Sequence, residues 1–118
     1  MTLPRRAERL TIYLEQTEHH GRVPEFVEIV ERARAAGLAG ATVAQGMEGF
    51  GGSAQVHRRR AFSVRADVPV VVTIVDTTER IDRFLAEVEH LMARGLIIRQ
   101  PVEVVIHRQA APGGGRPG

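Results

Sequence analysis

The stretch VPVVVTIVDTTERIDRFLAEVEHLMARG, residues 68–95, carries the two strongest structural signals in the chain. Residues 68–76 form a nearly continuous apolar, β-branched run, which is typical of a central strand covered on at least one face. The apolar residues that follow recur at helical spacing up to Gly95 (Ile81, Phe84, Leu85, Val88, Leu91 and Met92). Asp76 or Thr77 can cap this helix, and Glu79 completes a capping-box pattern with Asp76. The stretch therefore predicts a buried strand that leads directly into an amphipathic helix.

The first part of the chain predicts a similar pair of elements. Residues 8–15, ERLTIYLE, alternate apolar and polar side chains with the period of a half-buried strand. A helix is predicted over PEFVEIVERARAAG, which begins at Pro24 and ends at Gly37, a typical C-terminal glycine. A second strand follows at residues 41–48. The last strand, within LIIRQPVEVVIHR, is interrupted by Pro101, which favours an edge strand, a bulge or two short strands.

The predicted order of elements is β-α-β-β-α-β. Each helix has one apolar face, so the simplest arrangement is a ferredoxin-like α+β fold: a four-stranded antiparallel sheet with both helices on one face. The run from Val70 to Val75 is too apolar for its alternate side chains to face solvent, which favours an oligomer that covers the other face. We expect one domain over residues 1–108, followed by a disordered Gly/Pro-rich tail at 109–118.

Composition excludes several classes of protein. The 118 residues suit a single domain, and the chain contains no cysteine, which excludes disulfides and thiol chemistry. The net charge is only +2, because the 16 basic residues, all arginine, are set against 14 acidic ones. With few aromatic side chains available to stack on bases, we expect no nucleic-acid binding. There is no signal peptide or apolar run of membrane-spanning length, so we expect a cytoplasmic protein.

A glycine cluster, GMEGFGG at residues 46–52, lies close to the basic run VHRRR at residues 56–60. Glycine permits close approach to backbone N–H groups, which can then bind an anion, but the cluster lacks the Gly-Lys-Ser/Thr end of a P-loop. It can equally be a bulge and turn. The three arginines can bind phosphate or be a solvated charge run, and in a strand Arg58 and Arg60 would share one face. We expect a mobile loop at about residues 49–67.

The stretch AGLAGATVAQGMEGFGG, residues 36–52, followed after a long loop by residues 68–97, resembles domain-of-unknown-function family 190, which is grouped with the PII-like signalling proteins. Within the first stretch, Gly40-Ala41-Thr42-Val43 and Gly49-Phe50-Gly51 are similar to the pattern of the PII proteins. The resemblance covers about residues 8–106. It implies a ferredoxin-like homotrimer that binds nucleotides between subunits and contacts partner proteins through a long loop. The resemblance implies that Thr42 and the glycines of these motifs line the ligand cleft, and the chemistry of the basic run adds two arginines. The ligand-binding residues that we predict are Thr42, Gly49, Gly51, Gly52, Arg58 and Arg60.

The sequence departs from the PII pattern in two places. The stretch between Thr42 and Gly49 is one residue longer, which implies a bulge. The second glycine-rich phosphate loop of PII proteins, between the second helix and the last strand, is missing, since MARGLIIRQP runs almost directly on.

We therefore predict a non-catalytic regulatory protein that binds a small anionic ligand, with an adenine nucleotide as the candidate, and requires no cofactor. Its partner would be another protein, and in this family a membrane transport protein would be a natural one. The alternative is a CutA-like trimer that binds divalent metal, although the five histidines show no HxH or HExxH spacing and we assign no metal ligand. A small enzyme using the same cleft is a third possibility, but no catalytic residues can be assigned.

Overall fold

The computed structural model describes residues 2–15, 19–20, 23–46, 48–50, 56–58 and 69–109. Its helices are α1 (Glu25–Ala35) and α2 (Thr78–Val88). Its strands are β1 (Arg6–Glu15), β2 (His19–His20), β3 (Val23–Pro24), β4 (Thr42–Gln45), β5 (Glu48–Phe50), β6 (Val56–Arg58), β7 (Pro69–Asp76) and β8 (Leu96–Glu103). No helix among these residues is long and apolar enough to cross a bilayer.

The main sheet has four strands in the order β4-β7-β1-β8. All three pairings are antiparallel, and Thr11 at the centre of β1 lies opposite Thr73 on β7 and Ile98 on β8. This order and these directions confirm the predicted ferredoxin-like α+β fold. Strand β8 is an edge strand and continues through Pro101 without a break, so of the three predicted options for this proline the edge strand is the observed one.

One face of the sheet packs against both helices. The buried side chains that meet there come from β1 (Leu10, Ile12 and Leu14), β7 (Val70, Val72 and Ile74), α1 (Ile29 and Ala33) and α2 (Ile81, Phe84 and Val88). Burying each large aliphatic or aromatic side chain is worth roughly 1.5–3 kcal/mol relative to exposure. The strict alternation along β7 therefore fixes which side chains face the helices and which face away.

The helix ends follow local capping rules. Gly37, with φ of +76°, ends α1 in a Schellman motif: its own N–H donates to Arg34 O, and the N–H of Leu38 donates to Ala33 O. Thr77 is the N-cap of α2, and its hydroxyl accepts from the N–H of Arg80 at 3.2 Å. Of the two predicted caps, Thr77 is therefore the observed one, and the predicted capping box of Asp76 with Glu79 is wrong, because the third residue after Thr77 is Arg80.

Helix α2 is shorter than the sequence predicted. It ends at Val88, and a turn follows in which Leu91 N–H donates to Val88 O at 2.8 Å. Leu91 is nevertheless buried in the core. The apolar stripe thus marked the core correctly but not the helix end, because a tight turn keeps the same side chain pointing inward.

The predicted second strand, residues 41–48, divides into two. Strand β4 pairs with β7, whereas β5 belongs to a separate antiparallel hairpin with β6. Most of the predicted mobile loop at about 49–67 lies outside the described residues, as do positions 110–118 of the predicted disordered tail.

Candidate functional site

Thr42 is the first residue of β4, the strand at one edge of the main sheet. It lies opposite Thr73, on the side of the sheet that faces away from the helices, and it is exposed. The edge pairing continues past the strand end, since the N–H of Gly46 donates to Pro69 O at 2.8 Å. Thr42 thus presents a hydroxyl at the rim of the open sheet face, on a strand that pairs with β7 alone among the described strands of the main sheet.

The connection that delivers the chain from α1 to Thr42 is held by two charged side chains. Asp76, the fully buried last residue of β7, accepts a 2.8 Å hydrogen bond at Oδ2 from the N–H of Ala39. Arg80 donates from Nη1 to Gly37 O at 2.8 Å, and the same nitrogen lies 3.5 Å from the carboxylate of Asp76. The connection is therefore attached to the start of α2 at two backbone points.

The β5–β6 hairpin brings two of the predicted ligand-binding residues close together. Glu48 lies opposite Arg58, and Gly49 lies opposite His57. Gly49 and Arg58 are therefore neighbours across a two-stranded sheet, separated by one position in register. Gly51, Gly52 and Arg60 lie outside the described residues.

Several other arginines are held by acidic partners. Arg99 on β8 donates from Nη1 toward Asp82 Oδ1 at 2.8 Å and from Nε to Glu8 Oε1 at 2.6 Å. The hydrogen bond to Asp82, followed by that to Glu8, raises the pKa of Arg99 above its ordinary value. The pKa of Arg34 is raised in the same way, by its hydrogen bond to Glu31. The guanidinium groups of both arginines are therefore already paired with carboxylates of the same subunit.

The sheet face opposite the helices carries an apolar patch beside polar threonine side chains. Tyr13 on β1 and Leu96 and Ile98 on β8 lie on it and are 41%, 57% and 37% exposed. Val71 and Val75 of β7 lie on the same face by register. Within the described ranges, no group of three or more His, Asp or Glu side chains is arranged to hold a metal ion.

Comparison with known proteins adds the family. The family model DUF190, described as "Uncharacterized ACR", matches residues 7–104. The chain belongs to this family. The UPF0166 protein of Aquifex aeolicus (strain VF5) is 36% identical to this DUF190 chain over 96 residues, which is 81% of the chain and 90% of the relative.

Solved structures share the fold of this DUF190 chain. CPII, a nitrogen regulatory PII-like protein from Thiomonas intermedia K12 solved with ADP, AMP and bicarbonate, is similar with a TM-score of 0.65 at 15% identity, over 84% of this chain and 88% of CPII. A candidate PII-like signalling protein from Thermus thermophilus has a TM-score of 0.56 at 18% identity, over 84% and 87% of the two chains. The DUF190 chain therefore has a PII-like fold.

Sequence reasoning missed Asp76 and Arg80, which it treated only as part of a helix start. A signal was present: Asp76 falls on the same parity as Val70, Val72 and Ile74, so the strand pattern places its carboxylate on the buried face. A buried carboxylate requires hydrogen-bond partners from elsewhere in the fold. The identity of those partners depends on tertiary structure and is not readable from the pattern.

Proposed function

We propose that this chain is a non-catalytic, PII-like regulatory protein that binds a small anionic ligand, an adenine nucleotide, in a cleft between the subunits of a homotrimer. The position of Thr42 carries the proposal. It lies exposed at the start of an edge strand, just ahead of the glycine cluster, in a fold shared with a PII-like protein solved with ADP and AMP. No cofactor is required for this role.

The proposed ligand contacts divide by chemistry. The hydroxyl of Thr42 would hydrogen-bond the ligand, and the backbone N–H groups of Gly49, Gly51 and Gly52 would approach its phosphates closely because glycine has no side chain. Arg58 and Arg60 would donate bidentate hydrogen bonds to phosphate oxygens. The register of the hairpin supports part of this set, because it brings Gly49 within one position of Arg58.

The open sheet face supports the trimer. Tyr13, Leu96 and Ile98 expose apolar surface side by side, and contiguous apolar patches on soluble proteins mark contact surfaces. Packing these faces together would also place the rim of the sheet, where Thr42 lies, beside a neighbouring subunit. In this arrangement the ligand cleft is complete only in the assembled protein.

The long loop at about residues 49–67 would dock on a partner protein in the cytoplasm, and the family resemblance favours a membrane transport protein. Gly/Arg-rich loops suit this role because glycine permits a change of conformation and arginine recognises acidic groups. Nucleic acid is not a proposed partner, since the net charge is only +2 and few aromatic residues are present.

Thermal unfolding in the presence of different ligands tests the proposal. A ligand that binds only the native state raises the melting temperature by mass action, so ADP or AMP should stabilise the wild type and stabilise Thr42→Val much less. Bicarbonate is a further arm, because CPII was solved with it. Stabilisation by Zn²⁺ or Cu²⁺ but by neither nucleotide would favour the CutA-like alternative and overturn the nucleotide proposal.

A further inference from the structure

The connection between α1 and β4 has a feature that the fold alone does not require. Asp76 contributes to α2 through Oδ1, which accepts from the N–H of Thr77 at 2.7 Å. The helix is capped independently by the hydroxyl of Thr77. The other carboxylate oxygen, Oδ2, instead accepts from Ala39, which is 37 residues away in sequence.

Arg80 makes the second attachment. Its guanidinium is only partly exposed and reaches Gly37 O, two residues before the amide that Asp76 holds. One attachment uses a backbone acceptor and the other a backbone donor, so together they fix the direction of the chain from Gly37 to Ala39. Because the carboxylate of Asp76 is 0% exposed, its hydrogen bonds do not compete with water and losing one leaves a buried charge poorly compensated.

The two attachments, of Asp76 to the N–H of Ala39 and of Arg80 to Gly37 O, form a clamp on the connection. The chain between this clamp and the sheet is very short. Pairing of β4 with β7 begins at Thr42, opposite Thr73. Only Gly40 and Ala41 lie between Ala39 and that first pair, and both are exposed. Two residues therefore separate the clamp from the exposed end of β4.

We propose that Asp76 and Arg80 are positioning residues for the ligand: they set the backbone of Gly40–Thr42 in the conformation that binds an adenine nucleotide, although neither contacts the ligand. This inference rests on the proposed function. It goes beyond that function because it assigns a role to a buried aspartate and its partly exposed arginine partner, on the helix side of the sheet. In the absence of ligand the clamp keeps the segment ordered, so that binding does not have to order it.

The test uses ADP titrated into the full-length protein by calorimetry. Asp76→Asn has the same shape but offers one acceptor oxygen in place of two and no charge for Arg80. We expect it to weaken ADP binding about tenfold or more at a temperature where circular dichroism shows it fully folded. If Asp76→Asn does not fold, Arg80→Gln is titrated in its place. We expect it to weaken ADP binding about threefold or more.

A control separates positioning from general loss of stability. Val88→Ala creates a cavity in the core beneath α2, so it should lower the melting temperature without changing ADP affinity. Amide exchange gives a readout in the free protein: Asp76→Asn should accelerate exchange at Ala39 and leave Leu10–Leu14 protected. Unchanged exchange at Ala39 in this variant would overturn the clamp.

A double-mutant cycle decides whether Asp76 acts through the segment that carries Thr42. If the two substitutions act independently, the double variant loses ADP affinity by the product of the two single fold-losses. If both act through one shared element, its fold-loss is smaller than that product. We expect the double variant, Asp76→Asn with Thr42→Val, to bind ADP at least threefold more tightly than the product of the single losses would give. If wild type binds ADP and Asp76→Asn binds equally well, or if the losses multiply, the positioning role is wrong while the proposed function stands. If wild type binds AMP but not ADP, the same cycle is measured with AMP. If it binds neither nucleotide, both fall.

Discussion

The buried carboxylate of Glu25 accepts a hydrogen bond of 3.2 Å at Oε2 from the backbone N–H of Ala93. Glu25 is the first residue of α1, and Ala93 lies in the segment between α2 and β8. One side chain therefore joins the start of the first helix to the chain that enters the last strand. The carboxylate accepts this hydrogen bond from Ala93, which an apolar side chain at position 25 could not do.

We expect Glu25→Ala to destabilise the fold by roughly 1.5–3 kcal/mol, the usual contribution of a hydrogen bond to a charged group. Glu25→Gln should lose less, because its amide oxygen can still accept from Ala93. Urea unfolding followed by circular dichroism measures both. Glu31→Ala is the matched control, since Glu31 is an exposed glutamate on the same helix that pairs with Arg34. An equal effect of the Glu25 and Glu31 substitutions would contradict the role of the buried bond.

Gly95 is required by two separate features of the backbone. Its φ is +135°, and a Cβ added there would lie 2.5 Å from Met92 Cε and 2.6 Å from the carbonyl oxygen of Tyr13. The methionine can move, but the Tyr13 carbonyl is part of β1. We expect Gly95→Ala to lose roughly 1–3 kcal/mol through backbone strain and about 1–3 kcal/mol more through overpacking.

Gly37→Ala provides the reference for strain alone. Gly37 also has a positive φ, but the nearest atom to an added Cβ is Arg80 Nη2 at 3.9 Å. The free energy of unfolding, measured in urea, should therefore decrease clearly less in Gly37→Ala than in Gly95→Ala. Equal losses at the two glycines would show that the Tyr13 carbonyl is not the limiting contact.

The fold was predictable because its signals are local and agree with each other. Apolar alternation identified β1, the β-branched run identified β7, and the helical stripe identified α2. The end of α2 was not predictable from the stripe, because Leu91 stays buried in the turn that follows the helix. A helix and a turn can both direct the side chain at position 91 into the core, so the apolar periodicity does not show which of the two is formed there.

The candidate site was predictable only in part. Thr42 came from the family motif, and the structure places it at an exposed strand end. The hydrogen bond from the N–H of Ala39 to Asp76 joins residues that are distant in sequence. The position of Glu48 opposite Arg58 depends on the register of the β5–β6 hairpin. No spacing rule encodes them, since they follow from how the elements pack.

Ile98→Glu should dissociate the proposed oligomer without unfolding the subunit. Ile98 lies on the open sheet face and is 37% exposed, so a charge there is tolerated in a free subunit but not in an apolar contact. Light scattering should give three times the 13.0 kDa chain mass for the wild type and a lower mass for the variant. Val27→Glu is the control, because Val27 is 36% exposed on α1 and should stay trimeric. A monomeric wild type would remove the intersubunit cleft.

Arg58→Ala should weaken ADP binding about ten- to a hundredfold, the effect of losing a charge-assisted contact of roughly 1.5–3 kcal/mol. Folding should change little, since Arg58 lies in the separate β5–β6 hairpin and not in the main sheet. Arg83→Ala on the exposed surface of α2 is the matched control and should bind ADP like the wild type. Unchanged affinity of Arg58→Ala would leave the glycine backbone and Thr42 as the ligand-binding groups, and loss of a partner complex alone would assign Arg58 to docking.

Gly40 provides the most direct test of ligand approach to the backbone. Unlike Gly37 and Gly95, it does not have a positive φ, and a Cβ added there would have no heavy atom within 4 Å. The folded subunit therefore does not need glycine at this position. Gly40→Ala should leave the subunit as stable or increase its stability by about 0.4–1 kcal/mol, because alanine restricts the unfolded chain.

If a nucleotide lies against the backbone of Gly40, the same methyl group occupies its place, and ADP affinity should fall at least tenfold, about 1.4 kcal/mol. Calorimetry with ADP and urea unfolding on one protein sample measure the two effects together. Ala86→Ser adds one heavy atom at an exposed position of α2 and should leave ADP affinity unchanged, with only the small loss of stability that serine causes inside a helix. A loss of affinity together with a loss of stability would indicate a folding defect, whereas full affinity in a stable Gly40→Ala protein would mean that the ligand does not approach this end of β4.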